Sequence, residues 1–336
     1  MVRIKDIAEA VGVSTTTVSN VIHDKEQRVS PETRARIQQA VLDMGYVPNM
    51  SALMLAQNYS GIMGVVLLNK DDDRKPALAD PYYSTLVGYL EEQIKKSGHY
   101  MLMITVPEVE EIHRQVLTWK LEGLVVCNLD TAFLMELHER CQCPIVSIDT
   151  YMNRKNNFIN IMTDDFGGGY KMGCYLRGMG HRRAAMIADN DQGVDHYRWM
   201  GFQKAFREAG VVLTEEQHIL IPVEYQHRQE VYEELFQRLR EYTVLFYASD
   251  YYALEGCSFL RDKGIRIPED ISVTGFDDLV YAKLAKPRLT TMHQNIEKKA
   301  CMAVDALLHL LKKDTNTDYL LQVDLIERES VQKVNE

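Results

Sequence analysis

Short polar residues near the N-terminus have the types and the spacing to form hydrogen bonds with the edges of nucleic-acid bases. Thr15, Thr16 and Asn20 fall on one side of a predicted helix. An asparagine amide can pair bidentately with adenine, and a threonine side chain can contact the thymine methyl group. The chemistry that these residues indicate is therefore non-covalent readout of DNA rather than bond cleavage.

Two short helices joined by a tight turn are predicted to hold these side chains. The first helix has an apolar face at helical spacing, formed by Ile4, Ile7, Ala8 and Val11. Gly12 follows where a left-handed residue ends a helix, and Ser14 stands where the N-cap of the second helix belongs. The second helix buries its other side through Val18, Val21 and Ile22. This is the layout of a helix-turn-helix, whose second helix enters the DNA major groove.

A third helix completes the predicted N-terminal head. Ser30 is placed as its N-cap and Pro31 as its first residue, and the helix runs to about Met44. Its inner face is formed by Ile37, Ala40 and Val41. We therefore predict an all-α helix-turn-helix domain over residues 1–46 and a linker over residues 47–60.

Strands and helices alternate from Gly61 to the end of the chain, in two successive runs. Such alternation predicts doubly wound parallel sheets with helices on both faces, and two runs predict two lobes. The last predicted element is one closing strand, Leu320–Ile326. Because ligands of such folds bind at the carboxyl ends of the strands, we expect a site in the cleft between the lobes.

Composition and length indicate a globular protein with large cores. The 336 residues are 46% hydrophobic and 26% charged. The first ten residues lack the apolar core of a signal peptide, and no segment approaches the roughly 20 apolar residues of a membrane span. We therefore expect a cytoplasmic protein.

The net charge of −10 is distributed unevenly along the chain. Residues 1–60 contain six basic and six acidic residues, so the remainder of the chain carries the whole negative charge. Phosphate contacts dominate the affinity for DNA, so a neutral head predicts weak binding by one subunit. A dimer, which doubles the contacts, is expected to be needed.

The cysteines give little indication of a metal or redox site. None of the six is spaced as CxxC, and Cys141 and Cys143 form only a CxC pair. We expect reduced and mostly buried thiols, no metal ion and no cofactor.

The segments IKDIAEAVGVSTTTVSNVI and VSPETRARIQQAVLDMGYVPN resemble the N-terminus of LacI/GalR-family transcriptional regulators. The resemblance continues along the chain. It implies a DNA-binding head in which Thr15, Thr16 and Asn20 face the bases, Thr17 and Ser19 contact phosphates, and Ser14 is both cap and phosphate donor. The family commonly has arginine where Asn20 stands, which predicts an unusual operator.

The resemblance also implies a hinge helix over Met50–Gln57 that pairs with a second copy in the DNA minor groove. Leu55 matches the leucine that wedges into a base step, and Ala52 matches a groove-facing alanine. Leu53 replaces a customary arginine. A helix this short is marginal alone in water, so its order can be coupled to DNA binding.

The fold that the resemblance implies for the body is a two-lobed, periplasmic-binding-protein-like core with three chain crossings. We place one lobe at about 61–159 with 278–295, and the other at 160–277 with 296–330. Residues 61–336 would then bind the effector and form the dimer.

Candidate effector-binding residues follow the predicted strands. Tyr82 and Tyr83 can stack on a sugar or base, and Asp149 can accept from ligand hydroxyls. The resemblance adds residues in the family's R-x-x-G-F, N-D and G-[FY]-D-D motifs and at an aromatic position: Arg198, Ser249 with Asp250, Asp277, and Tyr225. Together they favour a polyhydroxylated ligand, with a sugar first and a phosphosugar or nucleobase second.

Several functions are compatible with this pattern. We expect a homodimeric repressor of a pseudo-palindromic operator, controlled by a small effector, and not an enzyme, because no Walker loop, nucleophile elbow or HExxH motif is present. One alternative is a solute-binding protein of transport, which the N-terminal head argues against. Another is a regulator triggered by a protein partner, as for family members that bind a phosphocarrier protein. The C-terminal residues show no leucine heptad, which favours a dimer over a tetramer.

Overall fold

The computed structural model describes residues 2–22, 29–47, 60–67, 76–106, 108–127, 129–152, 156–314 and 317–334. The chain divides into two compact units, Met1–Ser60 and Gly61–Glu336. This boundary agrees with the predicted start of the body. The predicted hinge helix, with Ala52 and Leu55, lies outside the described residues.

The N-terminal unit contains the three predicted helices, α1 (Ile4–Val11), α2 (Thr15–Ile22) and α3 (Pro31–Asp43). Gly12 ends α1 with a φ of 73°, a left-handed conformation that glycine adopts without strain. The Ser14 hydroxyl accepts from the backbone N–H of Thr17 at 3.1 Å, which confirms it as a cap. The core that joins the helices consists of Ile7, Ala8, Val11, Val18, Val21 and Ile37.

The body contains two six-stranded sheets. The first is entirely parallel, in the order β11-β5-β4-β3-β1-β2. Its strands are β1 (Ile62–Leu67), β2 (Tyr100–Ile104), β3 (Gly123–Cys127), β4 (Ile145–Ile148), β5 (Phe158–Thr163) and β11 (Tyr319–Leu321).

The second sheet has the order β12-β10-β9-β8-β6-β7, and only β12 runs antiparallel to its neighbour. Its strands are β6 (Ala184–Ala188), β7 (His218–Leu220), β8 (Val244–Tyr247), β9 (Ser272–Asp277), β10 (Thr290–His293) and β12 (Asp324–Ile326). The parallel sheets are doubly wound, as the alternation predicted.

Helices cover both faces of each sheet, so most strands are buried on both sides. The helices are α4 (Pro81–Lys96), α5 (Val109–Trp119), α6 (Thr131–Arg140), α7 (Asp165–Gly178), α8 (Gly193–Arg207), α9 (Tyr225–Gln237), α10 (Asp250–Asp262), α11 (Val280–Leu284) and α12 (Ile296–Leu311). Within the described ranges, no helix is long and apolar enough to cross a membrane.

The predicted assignment of the last segments to the lobes is wrong, because the order is reversed. Residues 290–293 pair with β9 in the second sheet, whereas α12 packs on the first sheet. The single closing strand predicted over Leu320–Ile326 is two strands in different sheets. Leu321 enters the core of the first lobe and Val323 enters the core of the second, so the chain crosses between them.

Helices α7 and α8 approach so closely that glycine is required at their crossing. A Cβ added to Gly169 would lie 2.0 Å from the carbonyl oxygen of Arg198, and one added to Gly201 would lie 2.0 Å from that of Phe166. Since both obstacles are backbone atoms, neither can move aside alone. The crossing brings the start of α7 beside Arg198 on α8.

Gly169→Ala is expected to lower the free energy of unfolding by about 1–3 kcal/mol or more, because it overpacks this contact. Gly178→Ala at the end of the same helix is the matched control, since its Cβ would meet no atom within 4 Å. There the change should be neutral or stabilising by roughly 0.5–1 kcal/mol. Urea denaturation followed by circular dichroism measures both, and equal effects would contradict the proposed crowding.

Candidate functional site

The carboxyl ends of strands from both sheets meet at a cavity of about 240 Å³ in the body. Asp149 follows β4, Asp189 follows β6, and Asp277 is the last residue of β9. This is the position at which parallel α/β folds bind ligands. Six of the predicted effector residues lie at its wall: Tyr82, Tyr83, Asp149, Arg198, Ser249 and Asp277.

Arg198 is buried and held from three sides. Its Nε donates to Asp165 Oδ1 at 2.8 Å, its Nη1 donates to the carbonyl oxygen of Ala248 at 2.7 Å, and Asp195 Oδ1 lies 3.6 Å from Nη1. The guanidinium lies 3.7 Å from the centroid of the Phe276 ring, which adds a cation–π contact. The planar fork is therefore fixed in direction, as a specific hydrogen-bond donor requires.

Asp149 is part of a buried network centred on Lys299. The Lys299 ammonium donates to Asp149 Oδ2 at 2.6 Å, to Tyr82 Oη at 2.8 Å and to Gln294 Oε1 at 2.7 Å. Burial alone raises the pKa of the Asp149 carboxyl, but the Lys299 charge and the hydrogen bonds outweigh it, so the pKa is lowered. The network holds Asp149 ionised at the cavity wall.

Gln294 links this network to the second lobe. Its Nε2 donates to Asp277 Oδ1 at 2.6 Å, while its Oε1 accepts from Lys299. Asp149 and Asp277 both have positive φ, 56° and 113°, which is strained for residues with a side chain. Burial raises the pKa of Asp277 well above its ordinary value, although the Arg198 charge opposes this. One chain of hydrogen bonds thus joins the two carboxylates across the lobes.

Two of the predicted effector residues, Asp250 and Tyr225, are not at the cavity wall. Asp250 is fully buried, where its carboxylate accepts from the backbone N–H of Leu279 at 2.8 Å and from Thr291 Oγ1 at 2.6 Å. Its role is to hold the loop after β9. Tyr225 is 52% exposed at the start of α9, and its ring centroid lies 5.7 Å from the Arg228 guanidinium.

Asp250→Asn is expected to change the pH dependence of stability. Burial raises the pKa of Asp250 from 3.8 to about 7, so the stabilisation from its bound proton is complete below pH of about 4 and is lost as the pH rises to about 7. An asparagine can accept from Leu279 and donate to Thr291 as the protonated acid does. The free energy of unfolding of the variant should therefore rise relative to that of the parent chain as the pH rises, by up to about 4 kcal/mol at pH 7. Denaturation from pH 4 to 8 measures this, and a constant difference would contradict it.

Several polar residues at or behind the cavity wall were missing from the prediction. They are Asp189, Asn190, Asp195, Arg228, Tyr251, Tyr252, Gln294 and, behind the wall, Lys299. Asp189 and Asn190 directly follow a strand that was predicted, so the rule that placed Asp149 would also have found them. Lys299 lies inside a helix and carried no such signal.

The polar side chains on and before α2 differ in how exposed they are. Thr15 and Thr16 are exposed, Ser19 and Asn20 are partly buried, and Ser14 and Thr17 share a hydroxyl–hydroxyl hydrogen bond of 2.8 Å. Thr15 and Thr16 are therefore free of the core and available to an outside partner.

All six cysteines are free thiols, and Cys141 is buried. Among the described residues, no group of His, Cys, Asp or Glu is arranged to hold a metal ion.

A helix-turn-helix head followed by a two-lobed α/β body with an interlobe cleft defines the class of DNA-binding regulators that carry a ligand-binding domain. Comparison with known families agrees with both parts. Residues 3–49 match the model for bacterial regulatory proteins of the lacI family, and residues 174–331 match the periplasmic binding protein-like domain. Both parts of the chain are therefore similar to regulators of the LacI family.

Relatives match along the whole chain. The transcriptional repressor PurR of Erwinia tasmaniensis is 29% identical over 340 residues, which is 98% of this chain and 97% of the relative. The PurR repressor of Haemophilus influenzae is 29% identical over 346 residues, covering 99% of this chain and all of the relative. The chain is a DNA-binding transcriptional repressor of this type and not an enzyme.

Solved structures show the same fold. The lac repressor dimer bound to operator and the anti-inducer ONPF has a TM-score of 0.84 and 24% identity, covering 98% of this chain and 99% of that one. The complex of the transcriptional regulator CelR with cellobiose has a TM-score of 0.72 and 25% identity, covering 98% of this chain and all of the other.

Proposed function

We propose that this repressor is a homodimer that binds a pseudo-palindromic operator and is controlled by a small carbohydrate bound between the lobes. The cavity at the carboxyl ends of both sheets carries the proposal, because it combines aromatic rings with fixed carboxylates and a fixed guanidinium. Such a lining suits a ligand with many hydroxyl donors. The proposed place of action is the bacterial chromosome, and hence the cytoplasm.

The charge of the cleft favours a sugar over a phosphosugar. Each of the two arginines at its wall is already paired with carboxylates, Arg198 with Asp165 and Arg228 with Glu255. A phosphate would meet further aspartates at the wall and be repelled by them. Hydroxyl groups, in contrast, donate readily to carboxylates. The complex of the CelR regulator with cellobiose, a sugar, agrees with this choice.

An exposed apolar patch supports the homodimer. Val280, Tyr281 and Leu284 lie on the short helix α11, and each is more than half exposed. Contiguous apolar side chains at a surface mark an interaction site. The lac repressor neighbour is described as a dimer, which agrees with this proposal. Sedimentation equilibrium should give twice the chain mass of 38.7 kDa, and a monomer at micromolar concentration would contradict the proposal.

The operator half of the proposal assigns base contacts to Thr15, Thr16 and Asn20, phosphate contacts to Ser14, Thr17 and Ser19, and minor-groove contacts to Ala52 and Leu55. Thr16→Ala is expected to weaken binding at the specific site by about 1–3 kcal/mol and to change binding to random DNA little. Fluorescence anisotropy with an operator selected from a random pool measures both. Equal losses on the two DNAs would show that Thr16 does not read bases.

The effector half is tested with the same anisotropy assay. The full chain bound to its selected operator is titrated with a panel of monosaccharides, sugar phosphates and nucleobases. We expect one class of sugar to change the operator affinity, and the operator to change the sugar affinity by the same factor. A response to a nucleobase alone would replace the carbohydrate, and no response to any small molecule would favour a protein partner.

A further inference from the structure

Carboxyl groups outnumber cations along the wall of the cleft. The wall contains five aspartates and two arginines. Arg198 is shared by Asp165 and Asp195, and Arg228 forms a bidentate pair with Glu255 at 2.9 and 3.0 Å. Neither arginine is therefore left to balance the remaining carboxyl groups.

Three of the wall aspartates have no cationic partner. Asp149 is paired with Lys299, but Asp80, Asp189 and Asp277 form no ion pair with any lysine, arginine or histidine in the described part of the chain. The wall therefore contains more carboxyl groups than cations, and a ligand that completes it should bring positive charge.

Asp189 and Asp195 form the most specific part of this surface. The side-chain nitrogen of Asn190 donates to Asp189 Oδ1 at 2.7 Å and to Asp195 Oδ2 at 3.0 Å. One amide thus holds two carboxylates close together without adding any positive charge. Burial raises the pKa of Asp195 well above its ordinary value, Arg198 opposes this, and Asp189 adds to it. Such a pair is stabilised by a cation placed between or beside its members.

Tyrosine rings border the same part of the cavity. Tyr83, Tyr251 and Tyr252 lie at its wall, and the Tyr251 and Tyr252 ring centroids are 5.4 Å apart at an angle of 66°. Tyr252 Oη donates to Asp189 Oδ2 at 3.1 Å, which ties the aromatic wall to the carboxylates. Aromatic faces attract ammonium groups, so carboxylates and rings here favour the same kind of ligand.

We propose that the effector is an amine-bearing sugar of one ring, whose ammonium group is bound by Asp189 and Asp195 beside the Tyr251 and Tyr252 rings. This inference rests on the proposed role of the cleft as the effector site. An ammonium group offers three hydrogen-bond donors and a charge, which the two carboxylates can accept together. A cavity of about 240 Å³ is also smaller than the usual pocket of roughly 300–1,000 Å³, which favours a single ring.

Isothermal titration of the full chain tests the charge of the ligand directly. Glucosamine, galactosamine and mannosamine are each compared with the parent hexose, which has nearly the same shape and no charge. The N-acetyl derivative, which is larger and also uncharged, is a second comparison. We expect at least one amine to bind roughly tenfold or more tightly than its neutral counterparts, as hydrogen bonds between charged groups predict.

Asp189→Asn removes the charge and keeps the shape, so it should weaken amine binding roughly tenfold and leave any neutral sugar unchanged. Asp191→Asn is the matched control, because Asp191 is exposed two residues away and is not at the wall. Amine binding that is unaffected by Asp189→Asn would overturn the assignment of that carboxylate.

The remaining outcomes separate this inference from the proposed function. A neutral hexose that binds as tightly as its amine would overturn the inference and leave carbohydrate control intact. No binding by any amine in the panel would also overturn it, while the operator assay with the wider ligand panel still decides whether the chain is a ligand-controlled repressor.

Discussion

Lys299→Met is expected to lower the free energy of unfolding of the body by about 3–5 kcal/mol, the usual loss when one partner of a buried ion pair is removed. The Lys299 side chain is fully buried, and its ammonium bonds Asp149, Tyr82 and Gln294 at 2.6–2.8 Å. Methionine fills similar space but leaves the Asp149 carboxylate unpaired. Chemical denaturation at neutral pH measures the loss.

Two further variants make this prediction specific. Lys298→Met changes the exposed neighbour on the same helix and should shift stability by less than about 0.5 kcal/mol. The double variant Asp149→Asn/Lys299→Met removes the stranded charge and should recover part of the loss. A loss of the same size for Lys298→Met, or no recovery in the double variant, would show that the ion pair is not the cause.

Arg198→Lys is expected to abolish the response of operator binding to the effector while operator binding itself persists. Lysine keeps the charge, but it cannot bond Asp165, face Asp195 and reach the Ala248 carbonyl oxygen at once, as the guanidinium does. Losing one charge-assisted hydrogen bond of about 1.5–3 kcal/mol should weaken effector binding roughly tenfold to a little over a hundredfold. Titration calorimetry and operator anisotropy measure the two affinities separately.

The matched control for this prediction is Arg207→Lys, an exposed change on the same helix α8. It should alter neither affinity. If Arg198→Lys weakened operator binding without effector as strongly as effector binding, the residue would stabilise the fold rather than sense the ligand. A melting temperature close to that of the parent chain is therefore part of the measurement.

The helices and the inner strands could be predicted from the sequence because each is specified locally. Thr131–Arg140 begins after Asp130, whose carboxylate accepts from the Phe133 N–H at 2.8 Å, and its bounds agree with the prediction. The strand Thr290–His293 was missed, and the end of the chain was read as one strand. Thr290–His293 is mostly polar in sequence and becomes a strand through its pairing with β9. The end of the chain divides into two strands because Leu321 and Val323 enter the cores of different lobes.

The site was predictable where function depends on the position after a strand. Asp149 was found this way, whereas Ser249 and Asp277 were found by their resemblance to family motifs, and all three lie at the cavity wall. Asp250 shows the limit of the rule, because the residue after Ser249 turns into the core and bonds Thr291 instead. Lys299 was beyond prediction, since it meets Asp149 only because α12 returns to the first lobe 150 residues later in the chain.

The path of the chain between the lobes affects how the protein is made. The first sheet acquires its outer strand β11, and its covering helix α12, only after nearly all of the second lobe has been synthesised. When synthesis has reached Thr163, Asp149 therefore has no Lys299 to pair with, and the face of the first sheet that α12 covers is still exposed. Neither lobe can become a finished folding unit on its own, so synthesis must run almost to the last strand before either core closes.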